Sequence, residues 1–592
     1  MKRLIILPFL LLCFCLSAAP IAEQKAREVA TAFFAANATR SSAVPLELAW
    51  AGDDAYKISD VQTRSTSDSA LMYIYNRTDG KGFVIIAGDD SAPRPILAFS
   101  NERSFDTKDV ADGARMLLSD WCKQLENTKG SPSPVSYSST RAGAGAIVCE
   151  YSTALWGQGA PFNNESPIIS GRKTITGCVA TALSILAYHY KWPESGVGTT
   201  SEYTYSTDLV SEYTVPANTL GRTYHYDKML NQYQGVSYTT EQGNAVAALM
   251  YDIGTSIGMK FDPEGSSPKY DRVKAMVNHF RYSKSTLYLQ RIWYSDQEWF
   301  AMLKNNLKEY GPLLYHGAKS DGSGGHSFVM EGYTNEGYFK FNYGWNGRSN
   351  GFYLLDGLQY DIDHRALLYM KPDKDGTSQY RDLLTLAAFT SSTTGNVYRG
   401  IHTTATNYQN SKTFTAYIAV RNSGAADFSG QLAVAHCDKD GVIKSILSSR
   451  SLDTKPLATG SGAGYSFKTS ISPSDIATGD KLMAAYKGAS SSDWQLITMG
   501  AEGTYKEVLL CATPEQVAES LKLKYDKTKK LLAFYSENAI QFALSDSDGY
   551  QSVSVEQPSH TEKIISLSSY KQGEYRLSFA GSGEPYLLNV VF

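Results

Sequence analysis

At 592 residues the chain is too long to bury its apolar side chains around one core. Domains run to roughly 100–200 residues, so about three to five are expected. Hydrophobic residues make up 42% of the chain and charged residues 19%. That is apolar enough for folded domains and too weakly charged for a disordered one. A net charge of -3 gives no general attraction to nucleic acid or to an anionic membrane.

The N-terminus has the three parts of a secretory signal. Lys2 and Arg3 are followed by the apolar run Leu4 to Leu16 and the small residues Ser17-Ala18-Ala19. The run is short for a membrane span, so residues 1–19 are read as a signal peptide and the protein as exported. The destination, whether outside the cell, on its surface or in a periplasm, stays open. Two of the seven cysteines, Cys13 and Cys15, fall in this leader, and neither has the small preceding residue of a lipidation site. Cys122, Cys149, Cys178, Cys437 and Cys511 remain. They are an odd set with scattered spacing, so no disulfide framework is expected and at least one thiol has no partner within the chain.

Ala26, Val29, Ala30 and Phe33 recur at helical spacing within 21–36. Strands are expected at 70–75 and 82–87, a turn after Asp89-Asp90, and a helix from Ala114 to Leu125. Together they make a small α+β unit, which ends in the polar stretch Ser131 to Gly145 containing Arg141. Such linkers are where proteases cut. Residues 150–370 are richer in Trp, His and Gly, with one strong helix over 178–190 and alternating runs from Leu313 to Tyr369. Beyond Lys371 short alternating strands recur, at 413–421, 430–436 and 481–486, with a second such block from Thr513 onward. This is β-sandwich patterning.

Four short stretches can carry chemistry. In Thr176-Gly177-Cys178-Val179-Ala180 the cysteine opens a mostly buried helix, where free N–H groups and the helix dipole favour a thiolate. Taken alone it reads as a small buried side chain, the common place of a free cysteine. In Gly324-Gly325-His326-Ser327-Phe328 a histidine enters an apolar strand with room beside its ring, either as a core residue or as a base. In Phe341-Asn342-Tyr343-Gly344-Trp345-Asn346-Gly347 the asparagine can accept from the far ring nitrogen of His326, with Tyr343 and Trp345 covering that bond from water. The same stretch also carries an ordinary hairpin signal. In Trp156-Gly157-Gln158-Gly159 an exposed amide can join the Cys178 N–H as an oxyanion donor, or the glycines mark only a turn.

The order Gln, Cys, His, Asn is what papain-type chemistry requires. With these motifs in place, the chain resembles the streptopain family of papain-like cysteine peptidases over about residues 20–370. The family pattern has Tyr or Trp right after the asparagine; where the family's namesake has Trp, this chain has Tyr343. The resemblance implies an α+β papain-like catalytic domain with Cys178 as nucleophile, His326 as base, Asn342 as orienting residue and Gln158 as oxyanion donor. It implies protein or peptide substrates and no metal or organic cofactor. Residues 82–89 resemble the family's propeptide, an inhibitory domain that displaces the loop carrying the histidine. The expected organisation is a signal peptide (1–19), an inhibitory propeptide (20–145), a catalytic domain (146–372) and two β-sandwich modules (373–510 and 511–592). Two other readings stand beside this one. In the first, the sandwich modules do the work by contacting cell surfaces or glycans. In the second, the Cys–His pair serves another acyl transfer, as in a transglutaminase or amidase. His189, the adjacent His436-Cys437 and Asp546-Ser547-Asp548-Gly549 are read as structural, since none has the ligand spacing of a metal site.

Overall fold

A computed structural model describes residues 20–36, 44–58, 70–128 (except 91 and 93), 143–319 (except 295), 324–355, 362–390, 397–403, 408, 413–510 (except 478, 490 and 501–503) and the strands between 522 and 590. The signal segment, most of the linker and Arg141 lie outside the described residues. The chain falls into two compact units: Met1–Tyr282 with Phe300–Lys374, and Ser283–Trp299 with Asp375–Phe592. The second unit takes in 283–299, a piece that lies within the expected catalytic stretch 146–372. Hydrogen bonds from the Lys284 N–H to Ser378 Oγ (2.9 Å) and from the Gly500 N–H to the Trp293 carbonyl (3.3 Å) tie this piece to the C-terminal unit.

The first unit is built on one antiparallel sheet. Its strands are β1 (Leu46–Gly52), β2 (Met72–Arg77), β3 (Phe83–Ala87), β4 (Ile96–Ser100), β5 (Ile147–Glu150), β6 (Leu313–Lys319), β7 (Gly325–Thr334), β8 (Tyr338–Asn342), β9 (Gly351–Leu354) and β10 (Ile362–Leu368). They pair in the order β1-β2-β3-β4-β9-β8-β7-β6-β10, with β5 added to the far end of β7. The N-terminal α+β unit is thus not a separate body beside the catalytic sheet. β4 pairs with β9, Phe99 opposite Phe352 and Ala98 opposite Tyr353. The Phe99 and Phe352 rings stack at 5.0 Å, an arrangement that adds about 0.5–1.5 kcal/mol to simple burial.

Among the described residues, the first three helices pack on this sheet and a further helix packs on the third. α1 (Glu23–Ala36) buries Ala26, Val29, Ala30, Phe33 and Phe34, the stripe its spacing predicts, against β2 and β3. α2 (Asp112–Thr128) packs on β7. α3 (Cys178–Tyr190) is buried on nearly every face, also against β7. α4 (Thr240–Ser256) starts at a capping box of Thr239 and Gln242 and packs on α3. No helix among the described residues is long and apolar enough to cross a membrane.

In the second unit, strands expected near 413–421, 430–436 and 481–486 are found at Phe414–Asn422, Gly430–Cys437 and Lys481–Gly488. The first belongs to one antiparallel sheet and the other two to a second. Leu384, Ile418 and Val420 of one sheet share a core with Leu432, Val434 and Leu482 of the other, so this module is a sandwich. His436 bonds Asp480 Oδ2 at 2.7 Å and Lys444 shares the same oxygen. Two smaller antiparallel sheets follow beyond Lys524.

Candidate active site

Cys178 is the first residue of α3 because the chain turns sharply just before it. Gly177 has φ +85°, and a Cβ there would lie 2.8 Å from Met259 Sδ. Only glycine makes this approach without strain. The Thr181 N–H bonds the Gly177 carbonyl, and the Thr176 and Thr181 hydroxyls meet at 2.8 Å, closing the first turn. The thiol of Cys178 is half-buried, and His326 with the Ser327 and Val179 N–H groups are the neighbours that act on its titration. Burial, the largest influence, raises the thiol pKa; the His326 contact and the two N–H groups outweigh it, and the net shift is downward.

His326 is almost fully buried on β7, opposite Gly317 of β6. Burial disfavours its charged form, yet Cys178, the Tyr343 carbonyl and Asp112 raise its pKa above the ordinary value. The opposite shifts on the two partners both favour the charged forms, thiolate and imidazolium. His326 Nε2 lies 2.9 Å from the Tyr343 carbonyl, which leaves Nδ1 for the sulfur.

The role expected of the Asn342 side chain is corrected here. Its Nδ2 donates to Thr153 Oγ1 (2.8 Å) and the Ala154 carbonyl (2.9 Å), and its Oδ1 accepts the Gly344 N–H (3.1 Å). The amide is therefore committed elsewhere, and a main-chain carbonyl one residue later holds the ring. Gln158 is buried, and its carbonyl accepts the Thr176 N–H at 3.1 Å, which brings its loop against the residues leading into Cys178. The Asn346 N–H bonds the Trp156 carbonyl at 2.9 Å, joining the Gln158 loop to the 342–347 loop. Tyr343 is fully buried with its ring 5.0 Å from Phe328. Trp345 Nε1 donates to Asp109 Oδ1 at 3.2 Å. His189 lies at the other end of α3 against Tyr151.

The N-terminal segment reaches this site directly. A Cβ on Gly113, in the first turn of α2, would lie 2.7 Å from both His326 Cδ2 and Tyr343 Cδ1. Asp109 also pairs with Arg348, and the Ala111 N–H bonds Ser349 Oγ at 3.2 Å. With α2 seated, its first turn lies over the His326 ring, and Cys178 and His326 still act on each other's titration. Among the described residues, Cys122, Cys149, Cys178 and Cys437 are all free thiols.

The sequence reading missed Glu331 and Lys340, two charged residues nearly buried on β7 and β8. Lys340 Nζ lies 2.7 Å from Glu102, 2.6 Å from Glu150 and 3.6 Å from Glu331. The available signal was a lone acid and a lone base in otherwise apolar strands.

Residues 156–353 match the Peptidase C10 family, and residues 18–125 match the Spi protease inhibitor family. The chain is 34% identical over 374 residues to the thiol protease/hemagglutinin PrtT of Porphyromonas gingivalis, a match covering 60% of this chain and 41% of that protein's length. It is 29% identical over 359 residues to streptopain of Streptococcus pyogenes, covering 57% of this chain and 85% of streptopain. A solved fragment of Prevotella intermedia prointerpain A is similar at 27% identity and a TM-score of 0.42, over 51% of this chain and 96% of the fragment. The two family matches, which between them take in the N-terminal α+β segment and the stretch from Trp156 to Tyr353, support the reading of the chain as a streptopain-family cysteine peptidase.

Proposed function

We propose that the chain is an exported precursor of a cysteine endopeptidase whose reacting pair is Cys178 and His326. The observation that carries this reading is the placement of Cys178 at the start of α3, which packs on the β7 strand bearing His326, whose ring is held by the Tyr343 carbonyl at 2.9 Å. The thiol pKa is lowered and the imidazole pKa raised by their mutual interaction. The Cys178 thiolate attacks a peptide carbonyl, and the resulting oxyanion takes hydrogen bonds from the Cys178 N–H and the Gln158 amide. His326 gives its proton to the leaving amine as the C–N bond breaks, forming a thioester. It then takes a proton from water, which attacks the thioester and returns the thiol and a free carboxylate. Tyr343 and Trp345 screen the pair from water. Residues 20–145 act as an intramolecular inhibitor, a role supported by the Spi-family match and by the Gly113 contact with His326. The leader at 1–19 supports export.

The test is casein hydrolysis under reductant by the full chain and by Cys178→Ala, with gel analysis and N-terminal sequencing. The expected result is loss of both hydrolysis and self-processing in the variant, with the fold kept. Hydrolysis at the wild-type rate by Cys178→Ala would refute the assignment.

A further inference from the structure

Behind the carbonyl that holds His326 runs a buried polar chain that none of the catalytic steps uses. The Tyr343 carbonyl and the Gly344 N–H belong to one planar peptide unit. Its oxygen meets His326 Nε2, and its N–H is held by Asn342 Oδ1. The orientation of the Asn342 amide therefore sets the plane that sets the ring. That amide is fixed in turn by Thr153, whose Oγ1 accepts from Asn342 Nδ2 and donates its own hydrogen to Glu331 Oε2 at 2.5 Å. The Thr153 N–H reaches the same carboxylate oxygen at 3.3 Å. Asn342 is 0% exposed, Glu331 4% and Thr153 7%, so water does not substitute for these bonds.

With Glu331 ionised, the polarity of the chain has one consistent assignment. An ionised carboxylate only accepts, so the Thr153 hydrogen points at Glu331. The threonine lone pairs are then left for the asparagine NH₂, and the asparagine oxygen for Gly344. Glu331 can take this place because the β7–β8 register shifts between Met330 and Gly332, which makes it the extra residue of a bulge. Gly332 lets β5 and Thr153 approach: a Cβ there would lie 2.6 Å from the Cys149 carbonyl. Lys340 balances the carboxylate.

We propose that Glu331 and Thr153 are positioning residues for the imidazole of His326, acting through the Asn342 amide and the 343–344 peptide plane. The inference rests on the assignment of Cys178 and His326 as the reacting pair. It differs from a purely structural role in what it moves. If the plane rotates, the Tyr343 carbonyl leaves Nε2, the imidazolium loses one of its supports, and its pKa falls. The charged or titratable groups that otherwise act on His326 or lie near it, Cys178, Asp112 and His316, are untouched by a change at position 153.

The experiment compares wild type, Thr153→Val, Thr153→Ser and Glu331→Met after self-processing, with the unprocessed Cys178→Ala chain as the inactive control. It measures kcat and KM on a peptide substrate across pH, with thermal unfolding as the check on folding. Thr153→Val and Glu331→Met are expected to lower kcat roughly tenfold with KM unchanged, as for a misoriented base. They should also move the alkaline limb of kcat/KM to lower pH, while Thr153→Ser restores both. If Thr153→Val does not fold, Thr153→Ala decides by the same limb. A wild-type limb and kcat in the folded variants, with Cys178→Ala inert, would overturn the positioning role alone. Continued cleavage by Cys178→Ala would overturn the reacting pair beneath it.

Discussion

Glu331 occupies a strand that otherwise reads Phe-Val-Met before it and Gly-Tyr after it, and it keeps almost no contact with water. Burial pushes its pKa up from 4.5 to about 7, against the pull of Lys340 and Thr153. The sign of the linkage follows. Between pH 4.5 and about 7 the folded state binds more of this proton than the unfolded state does. The contribution is therefore full below 4.5 and is lost as pH rises through the folded value. Relative to wild type, Glu331→Gln is expected to gain stability as pH goes from 4.5 to 8, read as the difference in urea midpoints at the two pH values. A constant difference would mean that the carboxyl titrates normally. Cys178 and His326 were legible in the sequence because their glycines and helix or strand neighbours are adjacent in the chain. Glu331, Lys340 and Thr153 were not, since their meaning depends on a bulge and on pairing between strands far apart in sequence. The carbonyl that displaces the Asn342 side chain was equally hidden, because every residue has one.

At the scale of elements, α2 matters through its first turn. Gly113 is ordinary in sequence, yet any side chain there meets the imidazole and the Tyr343 ring. Gly113→Ala is expected to destabilise the full chain by about 1–3 kcal/mol, the usual cost of overpacking. It should also lift α2 from the site, so iodoacetamide labels Cys178 faster than in wild type, as read by peptide mapping. Unchanged labelling would mean that α2 does not cover the thiol. The helices themselves were readable: α1, α2 and α3 begin and end close to where apolar spacing puts them. The pairing of β4 with β9 was not. Tyr338 Oη bonds the Ile96 carbonyl across 242 positions, and no local pattern encodes a contact at that range.

At the scale of the molecule, the N-terminal segment and the catalytic stretch share one sheet. Processing therefore strips a hydrogen-bonded neighbour from β9. Hydrogen exchange in the peptide spanning Gly351–Leu354 is expected to be slow in the full chain and to accelerate once residues 20–145 are gone. Equal protection in both forms would show that the segment stays bound after cleavage. A sheet completed by a strand that is later discarded also has a history. If residues 20–145 leave after folding, the remaining chain keeps a sheet whose neighbouring strand served as its template, and any later refolding has to proceed without that strand.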